Sequence, residues 1–168
     1  TFSRSVQPQS PGLAGRVWYG GGLESAKWAA QHGLNYLTSS VVSIEGTTSR
    51  DFATIQGEHI DEYLAHHPDP TRARVSQGLV VIPTDRATPE QVRKYEAYAE
   101  SRLARTRTPQ GPRGMLFSPD YVGPSDQLAE RLYAHAGFQR AGEVAIALPF
   151  SFDVSDYIQI VTDIAERL

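Results

Sequence analysis

Short apolar runs along the chain are each followed by a longer stretch in which apolar residues recur at helical spacing. The first pair is an apolar run at 17–19 and a helical pattern at 23–32, which Gly33 is placed to end. The second pair is a run at 34–40, polar at its end, and a helical stripe at 52–64. Each pair predicts a buried strand followed by a helix.

The middle of the chain continues this order. The segment 74–83 predicts a third strand, apolar without interruption near its end, as expected when both faces are covered. Thr88, Pro89 and Gln91 predict the start of a helix, with Thr88 as N-cap and Gln91 closing a capping box. The segment 106–114 is rich in proline and glycine and predicts a flexible connection.

The last part of the chain predicts an additional helix, a fourth strand and a closing helix. Ser125 is expected to cap the additional helix, and 144–150 is the predicted strand. The closing helix has the clearest amphipathic stripe: Val154, Ile158, Val161, Ala165 and Leu168. Strand and helix thus alternate four times, with one extra helix in the third unit. This order predicts an α/β fold with parallel strands and right-handed crossovers.

Composition narrows the functional classes. The 168 residues include no cysteine, which excludes disulfides, thiol nucleophiles and cysteine-based metal sites. The net charge of -3 gives no support for binding to nucleic acid or to an anionic membrane. No apolar run approaches the ~20 residues that span a bilayer. Because the first fifteen residues are polar and resemble no signal peptide, we expect a cytoplasmic protein.

Three consecutive glycines follow the first predicted strand and precede its helix. Backbone amides exposed at such a turn, together with the helix dipole, form a natural phosphate site. Gly20, Gly21 and Gly22 are therefore candidate phosphate-binding residues, and Ser25 can add a hydroxyl from the first helical turn. A Walker loop and the dinucleotide fingerprint are both absent. The alternative is a tight turn between strand and helix that binds nothing.

Three small hydroxyl residues, Thr38, Ser39 and Ser40, end the second predicted strand. In a parallel sheet they lie on the same rim as the glycine turn, where ligands of such folds bind. They are candidates for completing a phosphate shell. The alternative is that they only begin the loop that follows.

The remaining titratable residues point to no catalytic centre. The histidines are placed for helix ends or, for His59, for a hydrogen-bonded core position, so no metal site is expected. Four arginines form a basic cluster in or near the flexible connection: Arg102, Arg105, Arg107 and Arg113. They are interpreted as a solvated loop, with a phosphate-contacting arginine as the alternative. The carboxylates that could reach the rim show no spacing for acid–base catalysis: Glu24, Asp85, Asp120 and Asp153.

Several of these segments together resemble the luciferase-like family of flavin-dependent monooxygenases and reductases. The strand RVWYGGG and the stretch AKWAAQHGLNYLTSS match the family's strand, helix and strand in order. Similar too are the helix start at 121–125, the strand end at 148–150 and the closing helix to Leu168. The resemblance covers residues 5 to 168.

The resemblance implies a (β/α)₈ barrel, of which residues 16–168 are similar to the C-terminal half and residues 1–15 to the linker from the first half. A whole barrel takes about 250 residues. We therefore expect a partner, either the N-terminal half of the barrel or a second copy. The first residue, Thr1, also suggests a piece of a longer protein.

The resemblance further implies an enzyme that uses reduced FMN and oxygen on a small organic substrate, with NAD(P)H as electron donor. The cofactor phosphate would lie on Gly20, Gly21 and Gly22, near Ser25 and the 38–40 hydroxyls. The catalytic residues are not identified. Three alternatives remain: a deazaflavin-dependent hydride-transfer enzyme, a non-catalytic flavin-binding partial barrel, and an open doubly wound sheet that binds a nucleotide.

Overall fold

A computed structural model describes residues 10–168, so residues 1–9 of the predicted linker over 1–15 lie outside the described part. In this part six α-helices are found: α1 (Leu23–Gln31), α2 (Phe52–His66), α3 (Pro89–Arg102), α4 (Ala104–Arg107), α5 (Ser125–Tyr133) and α6 (Val154–Arg167). Eight strands are found in the same residues: β1 (Trp18–Gly20), β2 (Asn35–Thr38), β3 (Val41–Ser43), β4 (Val75–Leu79), β5 (Val81–Pro83), β6 (Met115–Phe117), β7 (Tyr121–Gly123) and β8 (Glu143–Ile146).

The main sheet has four strands in the order β1-β2-β4-β8, and all neighbours are parallel. Helices connect the successive strands, so the predicted α/β fold with parallel strands is confirmed. Two small sheets accompany it, an antiparallel pair β3-β6 and a parallel pair β5-β7. None of the described helices has the length and apolar character needed to cross a bilayer.

The single strand expected over 74–83 is instead two strands that separate at Val80. The Val80 carbonyl accepts the N–H of Tyr121, and the next residues form β5, which pairs with β7. The preceding strand, β4, pairs with β2 and β8. The apolar pattern is continuous because both strands are buried. The pattern records burial but not the change of partner, so the two-strand arrangement is not visible in it.

Helix starts are decided by local hydrogen bonds. The predicted capping box of α3 is confirmed, since the Thr88 side chain accepts the Gln91 N–H and the Gln91 side chain accepts the Thr88 N–H. The prediction that Ser125 caps α5 is wrong. Pro124 precedes the helix, and the carboxylate of Asp85 accepts both the backbone N–H and the hydroxyl of Ser125.

The core consists of three clusters. One joins α1 and α2 to the sheet through residues such as Ala29, Tyr36 and Ile60. The second joins α2 and α5 to the strands, and the third lies between α3, α6 and β5. The first strand is not buried as expected: β1 is half-buried to exposed, because among residues 10–168 it is an edge strand that pairs with β2 alone.

The closing helix presents its apolar stripe to solvent. Val154 is 72% exposed, Ile158 63% and Val161 49%, whereas Asp156 and Asp163 lie on the buried side. The opposite edge of the sheet is also uncovered in the described chain, because Glu143 of β8 is exposed and β8 has β4 as its one neighbour. The described part of the chain therefore leaves an apolar helix face and two strand edges without a partner.

Candidate functional site

The turn between β1 and α1 is fixed by its middle glycine. Gly21 has φ +150°, and a Cβ at this position would lie 2.5 Å from the Cβ of Ser25. No other residue fits there without displacing the first turn of α1. The Tyr36 hydroxyl donates to the Gly21 carbonyl at 2.7 Å and holds the turn against β2.

The amides at the start of α1 have no side-chain cap. Gly22 is the N-cap residue, and no side chain accepts a hydrogen bond from the first turn. These N–H groups carry the positive end of the helix dipole, so they can donate to an anion. Gly20 and Gly22 are less constrained than Gly21, because a Cβ on either would meet its nearest neighbour at 3.4 Å.

The glycine turn forms one wall of a cavity of 630 Å³. Four predicted site residues line this cavity together: Gly20, Gly21, Gly22 and Ser25. A second wall comes from two segments that are distant in sequence: Ser43, Glu45, Gly46, Arg113 and Met115. Of these, only Arg113 was a candidate from the sequence, as the alternative phosphate contact. The volume is of the size that holds a small organic ligand or cofactor.

The other predicted site residues do not line this cavity. Thr38 is fully buried, and its hydroxyl has no hydrogen-bond partner among residues 10–168. Ser39 accepts the Val41 N–H through its hydroxyl, and the Ser40 carbonyl accepts the Ser118 N–H. Thr38 ends β2, and Ser39 and Ser40 begin the loop that follows, as the alternative interpretation expected. A role of these three residues in a phosphate shell stays a prediction.

The basic cluster expected around 102–113 is dispersed in the fold. Arg102 pairs with the buried carboxylate of Asp120 at 2.6 Å, and Arg105 stacks over the Phe117 ring at 4.2 Å. The segment 106–114, expected to be flexible, begins with the end of α4 and continues into a hairpin closed by backbone hydrogen bonds between Gln110 and Met115. Of the four arginines, Arg113 alone lines the cavity.

His59 lies directly behind the glycine turn. It is fully buried, as expected for a core histidine, and neither ring nitrogen has a partner with hydrogen-bond geometry among the described residues, so its hydrogen bonding stays a prediction. Its Cε1, the carbon between the two nitrogens, is 4.0 Å from where a Cβ on Gly22 would stand. Burial lowers the pKa of His59, against smaller opposing effects of the Glu58 carboxylate and the Ser43 backbone. The ring is therefore neutral at pH 7.

Two carboxylates, Glu24 and Glu45, also line the cavity and are exposed. Their negative charges repel an anionic ligand and weaken its binding in the cavity. The other carboxylates that could have reached the rim have structural partners: Asp85 binds Ser125, Asp120 binds Arg102, and Asp153 binds Lys94. No acid–base pair is formed by them.

The remaining histidines bind backbone groups near helix ends. The Nδ1–H of His32 donates to the Trp28 carbonyl at 2.8 Å, and that of His66 donates to the Glu62 carbonyl at 2.9 Å. His135 accepts the Gly137 N–H at 3.1 Å. Within residues 10–168 no group of three potential metal-ligating side chains is found.

Comparisons with known proteins add a likeness of fold. Neither a family model nor a curated protein matches the chain. A solved structure, described as the crystal structure of apo-MsnO8, matches with a TM-score of 0.62 and 24% sequence identity. The match covers 98% of this chain and 54% of that one, so the chain spans about half the length of the structure that it resembles. At this identity the likeness shows the fold alone.

Proposed function

We propose that this chain is the phosphate-binding half of a luciferase-like, flavin-dependent oxidoreductase with a (β/α)₈ barrel. The observation that carries the proposal is the cavity at the β1–α1 turn, where four residues predicted to bind a phosphate lie together. The sequence resemblance supports the flavin. The four parallel strand–helix units, and a match that spans about half of a longer chain, support a half barrel.

The residues of the turn fit the phosphate of FMN. Gly21 allows a turn conformation in which a Cβ would lie 2.5 Å from the Cβ of Ser25, and no side chain accepts a hydrogen bond from the amides at the start of α1, so these amides can donate to an anion. The hydroxyl of Ser25 lies in the first turn of the same helix and lines the same cavity. These groups bind and orient the cofactor, and the Tyr36 hydroxyl keeps the turn in place.

Bound flavin would supply the redox chemistry, taking a hydride from NAD(P)H and reacting with oxygen to oxygenate a small organic substrate. The contribution of this chain is binding, orientation and exclusion of water at the phosphate end. No catalytic residue is assigned among the described residues. A deazaflavin that performs hydride transfer would use the same phosphate contacts, and oxygen consumption during turnover distinguishes the two.

The uncovered surfaces support a partner that completes the barrel. The exposed stripe of α6, and the edges of β1 and β8 that have no partner strand within residues 10–168, lie where further strand–helix units would continue the fold. We propose the other half of the barrel as this partner, with a second copy of the chain as the alternative. Denaturing and native mass spectrometry of the same sample distinguish them: a second polypeptide or a longer chain supports the first, and a dimer of 18.5 kDa chains supports the second.

The phosphate site is tested by comparing FMN with riboflavin, which lacks the phosphate. Quenching of flavin fluorescence measures both affinities at equal ionic strength. We expect FMN to bind at least about tenfold more tightly, because charge-assisted hydrogen bonds contribute about 1.5–3 kcal/mol. Equal affinities for the two flavins would contradict the proposal.

Two glycine variants form a matched pair for this test. Gly21→Ala and Gly33→Ala both force alanine into a positive φ, which costs about 1–2 kcal/mol in stability at Gly33 and more at Gly21, where the Cβ would also lie 2.5 Å from that of Ser25. Only Gly21 lines the cavity, and a Cβ on Gly33 would meet nothing within 4 Å. We expect Gly21→Ala to lose the preference for FMN and Gly33→Ala to keep it. Ser25→Ala, which leaves the turn unstrained, should reduce the FMN affinity a few-fold.

A further inference from the structure

The cavity contains one positively charged side chain among the described residues, that of Arg113, which sequence alone does not distinguish from the three other arginines of its cluster. Arg102 is held by Asp120, and Arg105 stacks on Phe117. Arg113 is exposed, and its guanidinium makes no hydrogen bond or ion pair with another residue of 10–168. A cation without a partner on the wall of a cavity is available to a ligand.

The backbone of Arg113 is held in place although its side chain is unpaired. It lies in a hairpin closed by two hydrogen bonds between Gln110 and Met115, at 2.7 and 2.8 Å. The Ser43 hydroxyl donates to the Arg113 carbonyl at 3.1 Å, and the Ile44 N–H donates to the Gly114 carbonyl at the same distance. These contacts fix the hairpin to β3, whose Ser43 lines the cavity together with the glycine turn.

The other charged groups around the cavity disfavour an anion, which makes the charge of this arginine important for binding one. Glu24 and Glu45 line the same space and repel a phosphate. His59, behind the turn, is buried and carries no hydrogen-bond partner on either nitrogen, but it is neutral and adds no charge. The helix dipole is equivalent to roughly half an elementary charge, which alone does not balance two carboxylates.

We propose that Arg113 is the specificity-determining residue that makes this cavity select a phosphorylated ligand over its unphosphorylated form. The inference rests on the proposed phosphate site and adds a contact to the phosphate from the second wall of the cavity. The guanidinium carries up to five N–H donors in a planar fork, which suits a phosphate monoester better than a lysine ammonium does. The first wall supplies backbone amides, and the second supplies the charge.

The test compares FMN and riboflavin affinities for the wild-type chain and three variants. Arg113→Gln should weaken FMN binding about tenfold and leave riboflavin unchanged, and Arg113→Lys should recover part of the loss. Arg107→Gln is the matched control, because Arg107 is exposed at the end of α4 and does not line the cavity. Its FMN affinity should equal that of the wild type.

Removing a negative charge from the cavity gives a second test, which does not depend on the loss of a contact. Glu45→Gln removes one repelling carboxylate, so FMN affinity should rise a few-fold at low ionic strength and less in high salt. If the wild-type chain prefers FMN but Arg113→Gln keeps the full preference, the assignment of Arg113 is overturned and the phosphate site stands. If the wild-type chain binds both flavins equally, the phosphate site itself fails and the inference fails with it.

Discussion

One lysine of α3 joins two carboxylates at the start of α6, and its removal is a sharp test of the packing between these helices. The ammonium of Lys94 on α3 lies 2.5 Å from the carboxylate of Asp156, whose side chain is 3% exposed. The same ammonium contacts the exposed carboxylate of Asp153 at 2.7 Å. Lys94→Met keeps most of the side-chain volume and leaves the buried carboxylate without its counter-charge.

The cost follows from the exposure of the two partners. Breaking a fully buried ion pair costs about 3–5 kcal/mol, and exposed pairs contribute about 0–1 kcal/mol. Lys94 is 35% exposed, and Asp156 keeps hydrogen bonds from Gln91, Tyr95 and the Asp153 N–H. We therefore expect a loss of about 2 kcal/mol, or a fall in Tm of about 4–8 °C for a chain of this length.

The pH dependence separates this electrostatic loss from a packing defect. Burial alone would raise the pKa of Asp156, but the hydrogen bonds of Lys94, the Asp153 backbone and Gln91 leave it lower than usual. A carboxylate with a depressed pKa stabilises the fold above its unfolded pKa, and the contribution disappears as the pH falls through the folded pKa. The difference between wild type and Lys94→Met should thus be full at pH 7 and shrink below about pH 4.

Urea unfolding followed by circular dichroism from pH 7 to pH 3 measures this difference. Lys27→Met is the control, because Lys27 is the one other lysine of the chain and pairs with no carboxylate among the described residues. It should change the free energy of unfolding by less than about 0.5 kcal/mol. A Lys94→Met variant as stable as the wild type, or a loss independent of pH, would refute the reasoning.

Three further predictions concern the fold and its partner surface. Asp85→Asn should lower the free energy of unfolding in urea by about 1 kcal/mol, because it weakens the hydrogen bonds that Asp85 accepts from Ser125 at the start of α5. An unchanged urea midpoint would show that these hydrogen bonds do not stabilise α5. Gly137→Ala should cost about 1–3 kcal/mol by thermal unfolding, because its Cβ would lie 2.8 Å from the buried Gln56 amide oxygen; normal stability would show that this region is loosely packed. Ile158→Glu should leave the isolated chain as stable as before and weaken its assembly in sedimentation velocity; unchanged assembly would remove α6 from the interface.

Elements whose signals are local were predictable from the sequence. The capping box of α3 is contained in four consecutive residues, and the alternation of strand and helix is visible at the scale of each unit. The glycine turn is predictable for the same reason: the backbone at Gly21 has φ +150°, a conformation that favours glycine, and the glycine is visible in the sequence. Predictions of this kind need no knowledge of distant contacts.

Features that depend on distant partners were not predictable. The Asp85 cap on Ser125 spans 40 residues, and the Lys94–Asp156 pair spans 62. The apolar stripe of α6 correctly indicates a helix, but periodicity does not say whether the covering surface belongs to this chain. For the same reason the cavity's second wall, with Ser43 and Arg113, could not be inferred from the sequence around the turn.

The most direct measurement of the central claim is amide NMR of the glycine turn during titration with FMN and with riboflavin. If the turn binds a phosphate, the amide signals of Gly21 and Gly22 shift strongly with FMN and little with riboflavin. Gly33 and Gly142, which lie outside the cavity, should not move. Glycine-turn amides that stay unchanged while FMN binds would place the phosphate elsewhere and contradict the account.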